Sequence, residues 1–331
     1  MAPPCRVLLI QIRRFGDVVL STALLEDVHR AHPAARIDFL VGPEAAPLLA
    51  GHPLLHERLV LDVRRRAAMW REVRSRRYDL VVDVQGSLRT AMVTRASGAP
   101  VRVGWRRGDW RLWYTHALAR GGPPEYAVRE RQRLLELAGI PPGASRPRIR
   151  LASAERAEGE RIARAAGAPP DGARVGLLLS TREPAKDWPA ESFGALARSL
   201  AAAGLVPMVF QTPGDEARVA AVRAAHPEVV IVPPLALRRF LGALATCRVL
   251  VSGDTGPAHM ADALGVARVT IFGPTSPVAW CPDLPTVVPV TGPGSRVVRL
   301  RHRARLLAAG HDFTGGIDPA VVMERVRRVL G

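Results

Sequence analysis

Asparagine is missing from this chain altogether, and lysine occurs once, at Lys186, against 46 arginines. Such a bias suggests pressure on codon usage, with arginine taken wherever a plain positive charge serves. The solitary lysine is then either a chance survivor or a place where a compact ammonium is needed and a broad guanidinium does not fit. Cysteine is scarce as well. Cys5, Cys247 and Cys281 are odd in number and far apart, which excludes a zinc or disulfide framework and makes a reducing cytoplasm the simplest home. Aromatic residues make up 5% of the chain and do not alternate with the basic clusters, which counts against a stacking platform for single-stranded nucleic acid. No run of about 18 uncharged apolar residues is present, so no spanning helix is expected. The start, Met1-Ala-Pro-Pro-Cys-Arg, lacks the layout of a signal peptide. Histidines and carboxylates are scattered, with no Asp-x-Asp pair, and no metal site is expected.

What is present is substantial. With 331 residues, 48% of them apolar, the chain can form two α/β domains of ordinary size. The formal charge is +17. Residues 1–150 hold 26 arginines against 14 acids, a net +12, and residues 151–331 carry the remaining +5. Such a field favours an anionic partner: nucleic acid, an anionic membrane surface or a phosphorylated acceptor.

Short apolar runs alternate with helical periodicity along nearly the whole chain. Strands are predicted over residues 6–12, 36–41, 58–61, 79–84 and 101–104, with a helix from about Asp17 to His32. A Pro-rich break, Pro141-Pro142-Gly143 through Pro147, reads as an interdomain linker. The pattern then restarts, with strands at 174–180, 206–211, 229–232, 249–252, 269–272 and 286–290, and a last helix over 318–330. The fold class is α/β, with mainly parallel sheets wrapped on both faces, and ligands belong beyond the carboxyl ends of the strands. The most informative stretch is Arg248-Val-Leu-Val-Ser-Gly-Asp-Thr-Gly-Pro-Ala-His-Met-Ala-Asp-Ala-Leu-Gly265. It reads as a buried strand, a small-residue turn and a helix opened by Pro257 in its first position. Free amides at such a helix start suit a phosphate. An ordinary βα turn is the plainer alternative.

Several segments together resemble glycosyltransferase family 9, the group of ADP-heptose–lipopolysaccharide heptosyltransferases. They are Val7-Leu-Leu-Ile with Phe15-Gly-Asp-Val-Val-Leu-Ser-Thr-Ala-Leu24, Tyr78-Asp-Leu-Val-Val-Asp83, Val103-Gly-Trp105, Ser180-Thr181 with Lys186-Asp-Trp-Pro189, and Ser252-Gly-Asp-Thr-Gly-Pro-Ala-His-Met-Ala261. The resemblance implies a GT-B fold, two Rossmann-like domains facing across a cleft. Residues 1–150 would bind the acceptor and 151–315 the nucleotide sugar, with the helix of 316–331 packing back on the first domain.

It further implies an inverting transfer. Asp17, after a Gly that permits a tight turn, would be the general base, the alternative being an acid that merely caps a helix. Lys186, with Ser180 and Thr181, would grip the diphosphate and stabilise the departing charge; a solvated loop lysine is the alternative. Asp254, Thr255, Gly256 and His259 would contact the nucleotide sugar, Asp254 through sugar hydroxyls. Glu216 corresponds to the ribose position and Leu235 to the adenine-packing position. Arg64, Arg65, Arg106 and Arg131 are candidates for an anionic, lipid-linked glycan acceptor. Tyr126 stands where many relatives carry His. The implied donor is ADP-heptose with no obligatory cofactor, and the implied protein is a cytoplasmic monomer in peripheral contact with the inner membrane, with no nucleic acid bound. Rival readings are a related transferase using another nucleotide sugar or polysaccharide acceptor, a basic nucleic-acid-binding protein, and a non-catalytic GT-B binding protein.

Overall fold

The first unit alternates strands and helices as β1 (Arg6–Ile10), α1 (Phe15–Ser21), α2 (Ala23–Ala31), β2 (Arg36–Val41), β3 (Glu57–Val60), α3 (Arg66–Ser75), β4 (Leu80–Asp83), α4 (Leu88–Ser97), β5 (Val101–Trp105), β6 (His116–Leu118) and α5 (Ala127–Glu136). The structure, a computed structural model, describes residues 5–62 and 64–331. It divides between Arg150 and Leu151. The sheet order is β3-β2-β1-β4-β5-β6, every pairing parallel. Val7–Ile10 and Val81–Val82 are fully enclosed, as continuous apolar runs covered on both faces must be.

The single helix expected over 17–32 is two. The Ser21 and Thr22 hydroxyls donate back to the carbonyls of Asp17 and Val19, a local bond that competes with the helical ladder and bends it. β6 escaped the sequence reading because three residues carry no usable period. The Pro-rich segment does not hang free either. Buried Asp27 accepts from Gly143 N at 2.8 Å, Ser145 Oγ at 2.8 Å and Gln132 Nε2 at 2.8 Å, which ties the stretch to the first unit.

The second unit runs α6 (Ser153–Ala165), β7 (Arg174–Leu178), α7 (Ala190–Ala202), β8 (Val206–Phe210), α8 (Glu216–Ala225), β9 (Val230–Val232), α9 (Leu237–Leu244), β10 (Val249–Gly253), α10 (Gly256–Leu264), β11 (Ala267–Phe272), α11 (Pro277–Trp280), β12 (Val287–Thr291), α12 (Leu300–Ala308) and α13 (Pro319–Leu330). Its sheet is also parallel throughout, ordered β12-β11-β10-β7-β8-β9. Counted from its own first strand, this repeats the 3-2-1-4-5-6 order of the first unit, the doubly wound arrangement of dinucleotide-binding folds. The terminal helix α13 belongs to the second unit. It packs on α7 and β10–β12, with Val322, Met323 and Val326 enclosed in that unit's core. Its start is fixed by Asp318, whose side chain accepts from Ala320 N.

Each sheet has one switch point, where the strand order reverses: β1 beside β4, and β7 beside β10. Loops leaving the carboxyl ends of these neighbouring strands diverge and leave a crevice. Both clusters of candidate residues lie on those loops.

Candidate active site

In the first unit the β1 exit is held by Gln85, from the β4 exit, whose Oε1 accepts from Ile12 N at 3.0 Å and Arg13 N at 3.1 Å. The tight turn expected at Gly16 falls instead on Arg14, the residue before α1, with φ 64°. That is a costly conformation for a residue bearing a Cβ, of the kind retained where surrounding contacts over-determine it. Asp17 follows as the third residue of α1 and is the acid in its first turn. Its Oδ1 accepts from Arg131 Nη2 at 2.6 Å. Arg131 reaches in from α5, its side chain 7% exposed, and also donates to the Ala127 carbonyl at 2.6 Å. Arg131 was expected among the acceptor-binding arginines; the structure buries it and commits it to Asp17. One carboxylate oxygen is thus anchored by a charge-assisted bond, and Oδ2 has no partner among the described residues. Asp17 is 24% exposed, so a substrate hydroxyl can reach it. Arg64, Arg65 and Arg106 are exposed, and no contact among the described residues joins them to Asp17. Tyr126 is the residue just before α5.

Beneath this loop lies Asp83, the last residue of β4, fully enclosed and accepting from Gly86 N at 2.8 Å and Tyr114 OH at 2.7 Å. Burial pushes its carboxyl up to about 6, against the pull of those donors. Gly86 has φ +65° and lies where a Cβ would fall 2.6 Å from the Trp105 ring, whose Nε1 donates to the Val84 carbonyl. The Val103-Gly-Trp105 element is therefore a structural clamp on the β4 exit. A carboxyl with a raised folded pKa gives stability that is complete below its unfolded pKa and lost as pH rises through about 6. Between pH 7 and pH 5 the wild type should gain about 1 kcal/mol relative to Asp83→Asn. Urea unfolding of both proteins at the two pH values measures this, and parallel shifts in the two would refute it.

In the second unit, β7 leads into Ser180-Thr181 and a single 3₁₀ turn, Pro184–Lys186. Lys186 Nζ donates to Asp254 Oδ2 at 2.8 Å and to the Asp254 carbonyl at 3.3 Å, with Glu183 Oε2 at 3.7 Å. The lysine side chain is 16% exposed and that of Asp254 6%, so this is a paired ammonium and not a solvated loop lysine. The loop is pinned on both sides. Thr181 N donates to Asp187 Oδ1 at 2.7 Å, and Thr314 Oγ1 to the Asp187 carbonyl at 2.6 Å. Trp188, 1% exposed, packs edge-on to Phe193 and donates to the Ile317 carbonyl. Burial raises the Asp187 carboxyl above its ordinary range, with its bonds to Thr181 and the charge of Arg218 opposing. The roles of Asp187 and Trp188 were not read from the sequence, although both sit inside the Lys-x-Trp-Pro pattern.

Asp254 and Thr255 join β10 to α10, whose first helical residue is Gly256, with Pro257 second and not first as the sequence suggested. The α10 start coincides with the Lys186–Asp254 pair. Gly253 makes the approach possible, since a Cβ there would lie 2.8 Å from the Lys186 carbonyl oxygen and 2.9 Å from Thr181 Cγ2. Gly253→Ala should push the lysine loop away and weaken nucleotide binding roughly ten-fold, with a stability loss in the usual overpacking range of about 1–3 kcal/mol. Calorimetric titration beside a thermal melt separates the two effects, and unchanged affinity would show that the close approach is idle.

His259 is 3% exposed, its ring centroid 5.7 Å from that of Trp280. Ser180 Oγ lies 3.2 Å from Thr212 Oγ1, which donates to buried Asp215 at 2.6 Å. Asp215, missed in the sequence, fixes the Thr-Pro-Gly turn after β8, while the expected Glu216 is exposed at the start of α8. Leu235 is half-buried between β9 and α9. Asp38, His56 and Glu57 also gather in the first unit. There Arg76 bonds Glu57 at 2.9 Å and the Tyr78 hydroxyl donates to Asp38 at 2.6 Å, so their oxygens already have donors.

Two Rossmann-like units of identical strand order, each with polar loops gathered at its switch point, are the architecture of the GT-B fold. The chain belongs to glycosyltransferase family 9 (heptosyltransferase), whose sequence pattern matches residues 66–292. Lipopolysaccharide heptosyltransferase 1 of Pseudomonas aeruginosa is 28% identical over 291 residues, 82% of this chain and 79% of that protein. Among solved structures, a family 9 glycosyltransferase from Veillonella parvula superposes with a TM-score of 0.88 at 20% identity, covering 98% of this chain and 97% of the other. The Escherichia coli heptosyltransferase WaaC with ADP superposes at 0.68 and 22% identity, covering 93% and 99%. Among the described residues no helix is long and apolar enough to cross a membrane.

Proposed function

We propose that this transferase moves a heptose from ADP-heptose to an anionic acceptor of the lipopolysaccharide inner-core type, with inversion at the anomeric carbon. The carrying observation is the buried Lys186–Asp254 pair, 2.8 Å apart at the start of α10 and at the β7/β10 switch point. It supports a site in which an ammonium and helix amides hold a diphosphate. The name of the Pseudomonas relative and the ADP in the Escherichia coli structure support the donor and acceptor chosen.

In this reading residues 1–150 bind the acceptor and residues 151–315 the donor. Asp17 Oδ2 takes the proton of an acceptor hydroxyl as its oxygen bonds to the anomeric carbon. The bond from that carbon to the diphosphate oxygen breaks, and its electron pair leaves with ADP. Lys186, Thr255 and the Gly256 amide meet the charge that grows there. Asp254 holds Lys186 and faces sugar hydroxyls, Ser180 and Thr181 border the phosphates, and Glu216 and Leu235 meet ribose and adenine. One chain supplies every group, so a monomer suffices, working at the cytoplasmic face of the inner membrane without an obligatory cofactor.

The test is thermal stabilisation by ADP, UDP and GDP at equal concentration, followed by ADP release from ADP-heptose with delipidated core acceptor. ADP at about 100 times its Kd should stabilise by about 2.7 kcal/mol. A larger shift with UDP or GDP would move the donor to another nucleotide sugar. Acceptor-independent silence with every donor would overturn the transferase reading.

A further inference from the structure

β4 ends in Asp83 and is followed by Val84-Gln85-Gly86-Ser87 before α4 begins. The chain turns sharply there, and both ends of the turn are fixed. Asp83 Oδ1 accepts from Gly86 N at 2.8 Å, and Gly86 takes a positive φ that residues with a Cβ rarely adopt. Ser87 caps α4 by accepting from Thr90 N. Gln85 is therefore a half-buried amide on a firm mount. Its Nε2 donates to Ser87 Oγ at 3.1 Å, which leaves Oε1 for the exit of β1.

Two consecutive amides converge on that oxygen, Ile12 N at 3.0 Å and Arg13 N at 3.1 Å. Gln11 Nε2 reaches the same oxygen at 3.4 Å and the Arg13 carbonyl at 3.0 Å. From the other side the Ile12 carbonyl accepts from Gly42 N at 2.9 Å, at the exit of β2. Residues 12–13 are thus clasped between the two strands that flank β1. The next residue is Arg14, with φ 64°, a conformation that persists only where its surroundings impose it. Its carbonyl accepts from Val18 N at 3.1 Å, in the turn of α1 that carries Asp17. A slip of residues 12–13 would let Arg14 relax and would re-aim the carboxylate that Arg131 holds by one oxygen.

We propose that Gln85 is a positioning residue for the transfer, its side-chain oxygen fixing the β1 exit so that Asp17 is aimed at the acceptor hydroxyl. The role rests on the reading of Asp17 as the general base, and Gln85 serves it through the backbone of residues 12–14. The chemistry demanded at position 85 is narrow. Two N–H donors meet at one point, so an acceptor must stand there. A glutamate oxygen serves, while a methionine of similar length leaves both amides without a partner. A misplacement of about 1 Å at a reacting group can cost roughly a hundred-fold in rate, so two ordinary hydrogen bonds have a large lever on turnover.

The experiment is a double-mutant cycle on the full chain, reading ADP release from ADP-heptose with delipidated core acceptor. Gln85→Met should lower kcat roughly ten- to a hundred-fold, with the Kd for ADP unchanged within about two-fold. Gln85→Glu should bring kcat back to within about three-fold of wild type, since it keeps the acceptor. In the Asp17→Asn background, Gln85→Met should cost less than about two-fold more, because a residue acting through Asp17 has nothing left to aim. Apart from activity, amide hydrogen exchange over residues 12–18 should quicken about ten-fold in Gln85→Met and return toward wild type in Gln85→Glu. If Gln85→Met folds poorly, Gln11→Met removes the neighbouring brace and leaves both backbone bonds of Gln85 in place. It should lower kcat in the same direction and be equally silent in Asp17→Asn. Equal losses in wild type and in Asp17→Asn would make Gln85 a general support and overturn the proposal, with Asp17 still the base. Unchanged exchange over residues 12–18 overturns it too. Full turnover in Asp17→Asn would remove the base and the positioning role together.

Discussion

Asp17→Asn should lower kcat by roughly 10²–10⁴-fold, the usual worth of a positioned general base, with nucleotide affinity unchanged within about two-fold. The change is nearly isosteric and leaves an oxygen to accept from Arg131, which sits 2.6 Å from Asp17 Oδ1. What it removes is the capacity to take a proton. Because the hydrogen bond that Asp17 accepts comes from Arg131 on α5, its loss should not unravel α1. A capping role would predict the reverse pattern, with stability lost and turnover kept. Arg131→Ala should cost less in turnover than Asp17→Asn, since it frees the carboxylate to rotate without removing it. Steady-state ADP release, nucleotide titration and a thermal melt on both variants measure all three quantities. Full turnover in Asp17→Asn would remove it from the chemistry.

Lys186→Ala should reduce turnover by about 10²–10³-fold, in line with removing a fixed donor from developing charge, and weaken nucleotide binding as well. Two effects add here. The diphosphate loses its ammonium, and Asp254, 6% exposed, keeps a buried carboxylate without its partner, which is costly in itself. Asp254→Asn in the Lys186→Ala background relieves the second effect and leaves the first. Recovered stability without recovered turnover is the expected outcome. Lys186→Arg should restore little, because the larger planar guanidinium must enter a place closed in by the Asp254 carboxylate, Glu183 and the pinned loop. Near-normal kcat in Lys186→Arg would mean that any cation serves and that the solitary lysine is an accident of composition.

The strands were legible because a sheet covered on both faces demands continuous apolar runs, and Val7–Ile10, Val81–Val82 and Val249–Val251 are such runs. The Ser180-Thr181, Lys186 and Gly253–Gly256 elements were legible because small residues and a lone lysine stand out after a strand. What could not be read was pairing over long separations. Arg131 looked like one more basic residue until α5 brought it to Asp17, 114 positions away. Asp215 looked like loop, and Glu216 beside it drew the attention, because only the fold says which of two adjacent acids turns inward. The tight turn was assigned to Gly16 from residue type, and the chain placed it on Arg14.

By itself, then, the sequence determined the elements, their α/β alternation, the family resemblance and the polar loops at the strand ends, since these follow from local period and residue type. The tertiary structure alone decided that Asp17 is clamped by Arg131 and that Lys186 is paired with Asp254 across 68 positions. These depend on which strand lies beside which. In both sheets the neighbours at the switch point are strands far apart in the chain, so no local pattern encodes what meets there.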